Sequence, residues 1–255
     1  MPAQAQEVEA AMEAFLLRVV PGLAEQWKGA MPDAIARIEQ IAGRPLPPFY
    51  RWFLSRMGKS MGALAYPTLD FSAQRVLDCY AKGWVEPHPR LLLIAHDSYG
   101  MMPRPHFYDL DAPARGDAMV GSKEEDAHED DFYEHFETLR EMLARSALSR
   151  FRLKKAPQTC NGTFSGDHPN PLALIEPVMS RLGFTQPIPT GPYCGLFERD
   201  DAAMLCTGMP RHDVDSSRAF ELGGTTAGVL RKVLGEIVAA SSLNLRVDEW
   251  VPALT

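Results

Sequence analysis

Residues Gly43 to Gly58 read GRPLPPFYRWFLSRMG, and two opposed structures fit the first half of that stretch. Arg-Pro-Leu-Pro-Pro is the kind of segment that lies extended in an aromatic groove of another protein. The same prolines can also separate a pair of helices, because first-turn N–H groups have no intrahelical partner and proline costs nothing there. The neighbours decide between these structures. Ahead of the stretch, Ile35, Ile38, Ile41 and Ala42 recur at helical spacing, with Gly43 placed as a C-terminal cap. Within it, Phe49, Trp52, Phe53 and Met57 line one face of a helix that Gly58 closes. The prolines are read as a helix stop and a helix start inside a folded domain.

The pattern continues in both directions. Val8, Met12, Phe15, Leu16 and Val19 mark an N-terminal helix ended by Pro21-Gly22. A helix is expected over 72–82, a buried strand over 91–95, an alternating strand over 106–111 and a short third one over 118–120. Phe132, Phe136, Leu139 and Leu143 follow at 4-3-4 spacing, which predicts an amphipathic helix of about four turns. Residues 151–170, rich in Pro, Gly and polar groups, read as a boundary. Beyond it come a helix over 171–182, a hairpin turning at Arg199-Asp-Asp201, and a helix over 225–240 carrying Val229, Val233, Leu234, Ile237 and Val238. The expectation is two domains, 1–150 and 151–255, the second a smaller α+β unit.

Composition sets limits on function. Of 255 residues, 45% are apolar and 23% charged, ordinary for a globular chain. The longest apolar runs, FLLRVV and RLLLIA, fall well short of a membrane span, and MPAQAQEVEA has neither the basic start nor the apolar core of a secretory signal. The expectation is a cytoplasmic protein that does not engage a membrane. Four cysteines, Cys79, Cys160, Cys194 and Cys206, show no zinc-like spacing and are expected as free thiols in the core. The net charge of −7 is unevenly placed: EEDAHEDDFYEHFE, residues 124–137, holds eight acids and no Lys or Arg. The rest of the chain is close to neutral. Nucleic acid is a poor partner for such a surface, and a basic protein a good one.

Signatures of catalysis are scarce. Gly58-Lys-Ser60 lacks the glycine a phosphate loop needs five residues earlier, where Phe53 stands. There is no Gly-x-Ser-x-Gly elbow and no His-Glu-x-x-His. His128 and His135 with Asp126, Glu129 and Asp131 are not at metal-ligand spacing, so neither metal nor cofactor is expected. An enzyme would have to place its site in the C-terminal unit, around Cys194, Cys206, His212 and Asp213.

Residues 33–143 resemble the SUKH superfamily, named for a fungal cell-wall regulator and its relatives among bacterial toxin-immunity proteins. The resemblance is carried by IARIEQIAGRPLPPFYRWFLSRMG, LLLIAHDSYG, HFYDLD and DFYEHFETLREML. Gly43, Leu46, Pro47, Tyr50, Arg51, Phe53 and Leu54 match the family's Gly-x-x-Leu-Pro and YRxFL pattern. Asp97, Gly100 and Asp109 stand for its strand turn, and Phe132, Phe136 and Leu143 for its last helix. Gly58-Lys-Ser-Met-Gly62 replaces the usual Asn-Gly-Gly loop. The resemblance implies an α/β fold of the α+β type, with a curved, mostly antiparallel sheet flanked by helices. It further implies an immunity protein that binds and neutralises a toxin, often a nuclease, without catalysis. On that reading Glu124, Glu125, Asp126, Glu129, Asp130, Asp131 and Glu134 are the candidate contacts for a basic toxin surface. Tyr99, Phe107, Tyr108 and Tyr133 are either aromatic anchors or core. An intracellular scaffold or regulatory module is the competing binding role.

Overall fold

A computed structural model describes residues 2–97, 105–123, 132–210 and 217–253. The fold is α+β, built of helices and antiparallel sheets. It divides into two compact units, residues 1–13 with 20–142 and residues 14–19 with 143–255.

The N-terminal unit holds α1 (Pro2–Val19, whose last turns belong to the other unit), α2 (Leu23–Gln26), β1 (Trp27–Lys28), α3 (Pro32–Ala42) and α4 (Pro48–Met57). Next come β2 (Ser60–Met61), which pairs with β1, then β3 (Leu69–Asp70), α5 (Ala73–Ala81), β4 (Leu91–Asp97), β5 (His106–Ala114), β6 (Asp117–Ser122) and β7 (Tyr133–Phe136). β3 to β7 form an antiparallel meander in chain order. The helix α6 (Leu139–Leu148) ends this unit and starts the next.

The Pro-rich stretch is two helix ends. Gly43 has φ of 65°, the left-handed conformation in which a residue with a Cβ is strained, and its N–H returns to the Gln40 carbonyl. Pro47 is the N-cap of α4 and Pro48 its first residue. Phe49, Tyr50, Trp52, Phe53, Leu54 and Met57 are all buried, so no side of this helix is offered as an extended peptide ligand. The Tyr50 ring meets Tyr108 of β5 edge-on at 5.1 Å, and Phe49 N–H donates to the Gly116 carbonyl at 3.0 Å.

One expected element is overturned. The four-turn helix through Phe132 and Phe136 does not form: Tyr133–Phe136 is the strand β7, with Tyr133 opposite Ser122, Glu134 opposite Gly121 and Phe136 opposite Val120. The helix begins only at Leu139, because Thr138 Oγ1 accepts the Glu141 N–H at 3.1 Å and the Asp117 carboxylate accepts the Arg140 N–H at 2.9 Å.

The C-terminal unit continues from α6 through a π-helical turn (Ser149–Leu153) into β8 (Gln158–Ser165) and α7 (Pro171–Arg181). β9 (Cys194–Arg199), β10 (Ala202–Thr207), β11 (Arg218–Gly224), α8 (Ala227–Ala240) and β12 (Asn244–Val251) complete it. The sheet order is β12-β8-β11-β10-β9, antiparallel throughout. The polar segment 151–170 therefore contains an interior strand. Its composition follows from alternation: Cys160, Gly162 and Phe164 face the core, while Thr159, Asn161 and Thr163 face out. Gly162 is required, because a Cβ there would overlap the Arg246 carbonyl oxygen of β12. In α8 the buried stripe runs through Leu230, Val233, Leu234 and Ile237, leaving Val238 exposed rather than in the core.

Candidate functional site

The β5–β6 hairpin frames the candidate site. Its turn is Arg115-Gly116, with φ of 50° and 74°, the paired left-handed residues of a two-residue hairpin. Arginine is costly there, and its side chain supplies the compensation by bridging Glu137 at 3.0 Å and Glu141 at 2.7 Å. Next to the turn, Asp117 is 1% exposed and fully engaged. It accepts the Tyr108 hydroxyl at 2.7 Å, the Ala118 N–H at 2.9 Å and the Arg140 N–H at 2.9 Å. The Arg140 guanidinium, itself buried, donates to the Arg115 carbonyl at 3.3 Å and lies 4.7 Å over the Phe49 ring. Burial pushes the Asp117 carboxyl up, and Arg140, the two N–H groups and Tyr108 pull it back some of the way. This network locks β5, β6, α4 and α6 together, and so fixes where β7 runs.

At the other end of these strands, three polar side chains form a row. His106 (β5) lies opposite Ser122 (β6), and Ser122 Oγ is 2.7 Å from His135 Nε2 (β7). The two imidazole rings stack at 5.5 Å. β7 is the last strand of this sheet among the described residues. Tyr133 on it is 59% exposed, and Glu134 is half-buried. The other candidate contacts, Glu124, Glu125, Asp126, Glu129, Asp130 and Asp131, lie outside the described residues; in the chain they fall between β6 and β7.

The aromatic candidates separate cleanly. Phe107 and Tyr108 are core at 7% and 0% exposure, Tyr133 is on the surface, and Tyr99 is outside the described residues. Sequence reasoning missed Trp84, which is 45% exposed. Arg75 and Lys82 lie 5.1 and 4.6 Å from its ring centroid, a cation–π arrangement that holds the indole in place. Trp84 borders a cleft of about 390 Å³ with Val85, His88, Leu91, Phe107 and Lys123. The flanking Lys82-Gly83 turn was the only signal in the sequence, and it says nothing of exposure.

Of the residues around which an enzyme site would lie, Cys194 and Cys206 are described, and they do not converge. None of the four cysteines forms a disulfide, and all are buried. Cys206 lies opposite Gly195 and Cys194 opposite Thr207, so the two thiols point to opposite faces of the sheet. Burial pushes the Cys206 and Cys160 thiols up to about 12 and raises Cys79 as well, which withholds the thiolate a nucleophile needs. His212 and Asp213 lie outside the described residues. Among those described, no three His, Cys, Asp or Glu side chains are grouped to hold a metal, and no helix is long and apolar enough to cross a membrane. No family model, no curated protein and no solved structure matches this chain.

Proposed function

We propose that this protein is a cytoplasmic immunity protein of SUKH type, which binds a cognate bacterial toxin and blocks it by occupying its active surface, with no catalysis of its own. One observation carries the reading: the acid-rich segment 124–131 directly precedes β7 in the chain, and on β7, the last strand of the N-terminal sheet among the described residues, Tyr133 is exposed. A concentrated negative charge next to an accessible aromatic suits a basic partner such as a nuclease groove. Charge speeds the encounter and the aromatic slows release. The resemblance of residues 33–143 to immunity proteins supports the same reading, and Trp84 with its cleft adds a second accessible aromatic on the same unit.

The test uses the product of the adjacent gene, expressed as the candidate toxin. Neutralising Glu124, Glu125, Asp126, Glu129, Asp130 and Asp131 to Gln or Asn is expected to slow association at low salt by about tenfold or more and to flatten its salt dependence. Tyr133→Ala is expected to act on dissociation instead. Unchanged kinetics in both variants would remove β7 and the segment before it from the interface. Failure of the wild-type protein to rescue cells expressing the toxin would sink the immunity role itself.

A further inference from the structure

β12 closes one side of the C-terminal sheet, and its outer side has no neighbour among the described residues. It is eight residues long and exposed over most of its length. An edge of this kind pairs with another strand unless something prevents it.

Self-pairing is subject to a strict condition. Directly opposed residues of an antiparallel pair share a face, and in a regular strand residues alternate between faces. Two copies related by a two-fold axis perpendicular to the sheet can then oppose only residues separated by an even number of positions. β12 escapes this condition through a bulge. Val247 lies opposite Gly162 and Glu249 opposite Asn161, so Asp248 is an extra residue between them. Arg246, opposite Thr163, and Glu249 consequently share the outward face. Leu245, opposite Phe164, and Trp250, opposite Cys160, share the core face and pack against its cluster.

With the axis between Val247 and Asp248, Arg246 of one copy opposes Glu249 of the other, and Leu245 opposes Trp250, each twice. Opposite charges meet on one face and apolar side chains on the other. We infer that two copies of this chain pair antiparallel through β12, joining their C-terminal sheets into one. A bulge ordinarily twists an edge away from partners, but here the two bulges face each other across the axis and the register is kept on both sides. The Arg246–Asp248 pair of the single chain is held at 2.8 Å with side chains 76% and 44% exposed, so exchanging it for Glu249 of the second copy costs little. A foreign extended strand would find the same backbone edge but would have no reason to carry the reciprocal charges, which favours a second copy as the occupant.

Sedimentation equilibrium of the full chain tests this. The wild type is expected to show a concentration-dependent monomer–dimer equilibrium. Arg246→Glu and Glu249→Arg should each weaken the dimer about tenfold, since each sets two like-charge pairs face to face. The double variant Arg246→Glu/Glu249→Arg should recover the wild-type constant. Both side chains lie on the solvent side, so an unchanged far-ultraviolet circular dichroism spectrum in every variant, recorded at a concentration where the wild type is monomeric, serves as the folding control. A monomer at all concentrations up to about 0.1 mM, a dimer indifferent to both single changes, or a double variant as weak as the singles would each overturn the inference.

Discussion

The two units solve the same packing problem, helices against an antiparallel sheet, with opposite interiors. In the C-terminal unit, Phe164, Phe220, Met204, Ile175, Leu230 and Ile237 form an apolar core, with the Phe164 and Phe220 rings 4.8 Å apart. Arg218 is the single buried charged side chain there among the described residues. The N-terminal unit buries Asp109, Asp117, Arg140 and Glu141 together with Thr138. The difference lies in what each core specifies. Apolar contact is non-directional and tolerates small shifts, whereas Asp117 accepts three donors at set positions and so dictates how β6 meets α6. An apolar core gives stability by area, and a buried hydrogen-bonded charge gives position at the cost of fragility.

The sharpest way to break this contrast is to remove one member of each core. Asp117→Ala would leave the Tyr108 hydroxyl and two N–H groups unpaired and the Arg140 charge uncompensated, an expected loss of about 3–5 kcal/mol. Leu230→Ala in the other unit is expected to cost about 2–4 kcal/mol, set by the cavity it leaves. Urea denaturation followed by site-placed fluorescent probes in each unit measures both. If Asp117→Ala cost less than about 1 kcal/mol, the network would be an ornament of the fold and not its organiser.

Acid titration separates the units by sign. Burial holds the Asp117 carboxyl above its ordinary 3.8, so its contribution to stability is full below that value and is lost as pH rises through the folded one. Asp201, hydrogen-bonded to Arg199 on the C-terminal unit, is held below 3.8; its contribution is present above 3.8 and is lost as pH falls through the folded value. Relative to wild type, Asp117→Asn should gain as pH rises through the acid range, and Asp201→Asn should gain as it falls. Denaturation midpoints between about pH 3 and pH 6 give the two slopes, and slopes of the same sign would refute the assignment.

The smallest effect is a stabilisation. The Tyr50 hydroxyl is buried with no hydrogen-bond partner among the described residues, while its ring stacks on Phe53 and meets Tyr108 edge-on. Tyr50→Phe keeps the rings and removes an unpaired hydroxyl, so it should raise stability by about 1 kcal/mol. A loss of similar size in thermal unfolding would mean that the hydroxyl has a partner after all.

Much of the fold was legible wherever a pattern was local. The helices over 32–57 and 72–82, the strands at 91 and 106, and the hairpin at Arg199-Asp-Asp201 follow from periodicity and punctuation, and they formed. The failure at residues 132–136 is instructive: Phe132 and Phe136 suit a period of four and a period of two alike. The deciding signal was Thr138-Leu-Arg-Glu141, a capping pattern that starts the helix after the second phenylalanine. Of the candidate contacts, Glu134 alone could be placed, on β7, and the exposure of Trp84 and Tyr133 could not be read because exposure is a property of neighbours.

By itself, then, the sequence determined that GRPLPPFYRWFLSRMG is the joint between two helices, that the chain is α+β, and that its negative charge is gathered in one window. These depend on spacing and composition within a few turns of chain. Only the tertiary structure decided that Tyr50 rests on Tyr108, that Tyr108 donates to Asp117, and that Cys194 and Cys206 face away from each other. The same holds for the bulge that sets Arg246 and Glu249 on one face of β12. Each of these turns on strand register, which joins residues distant in the chain, and a one-residue change in register sends every side chain to the other face.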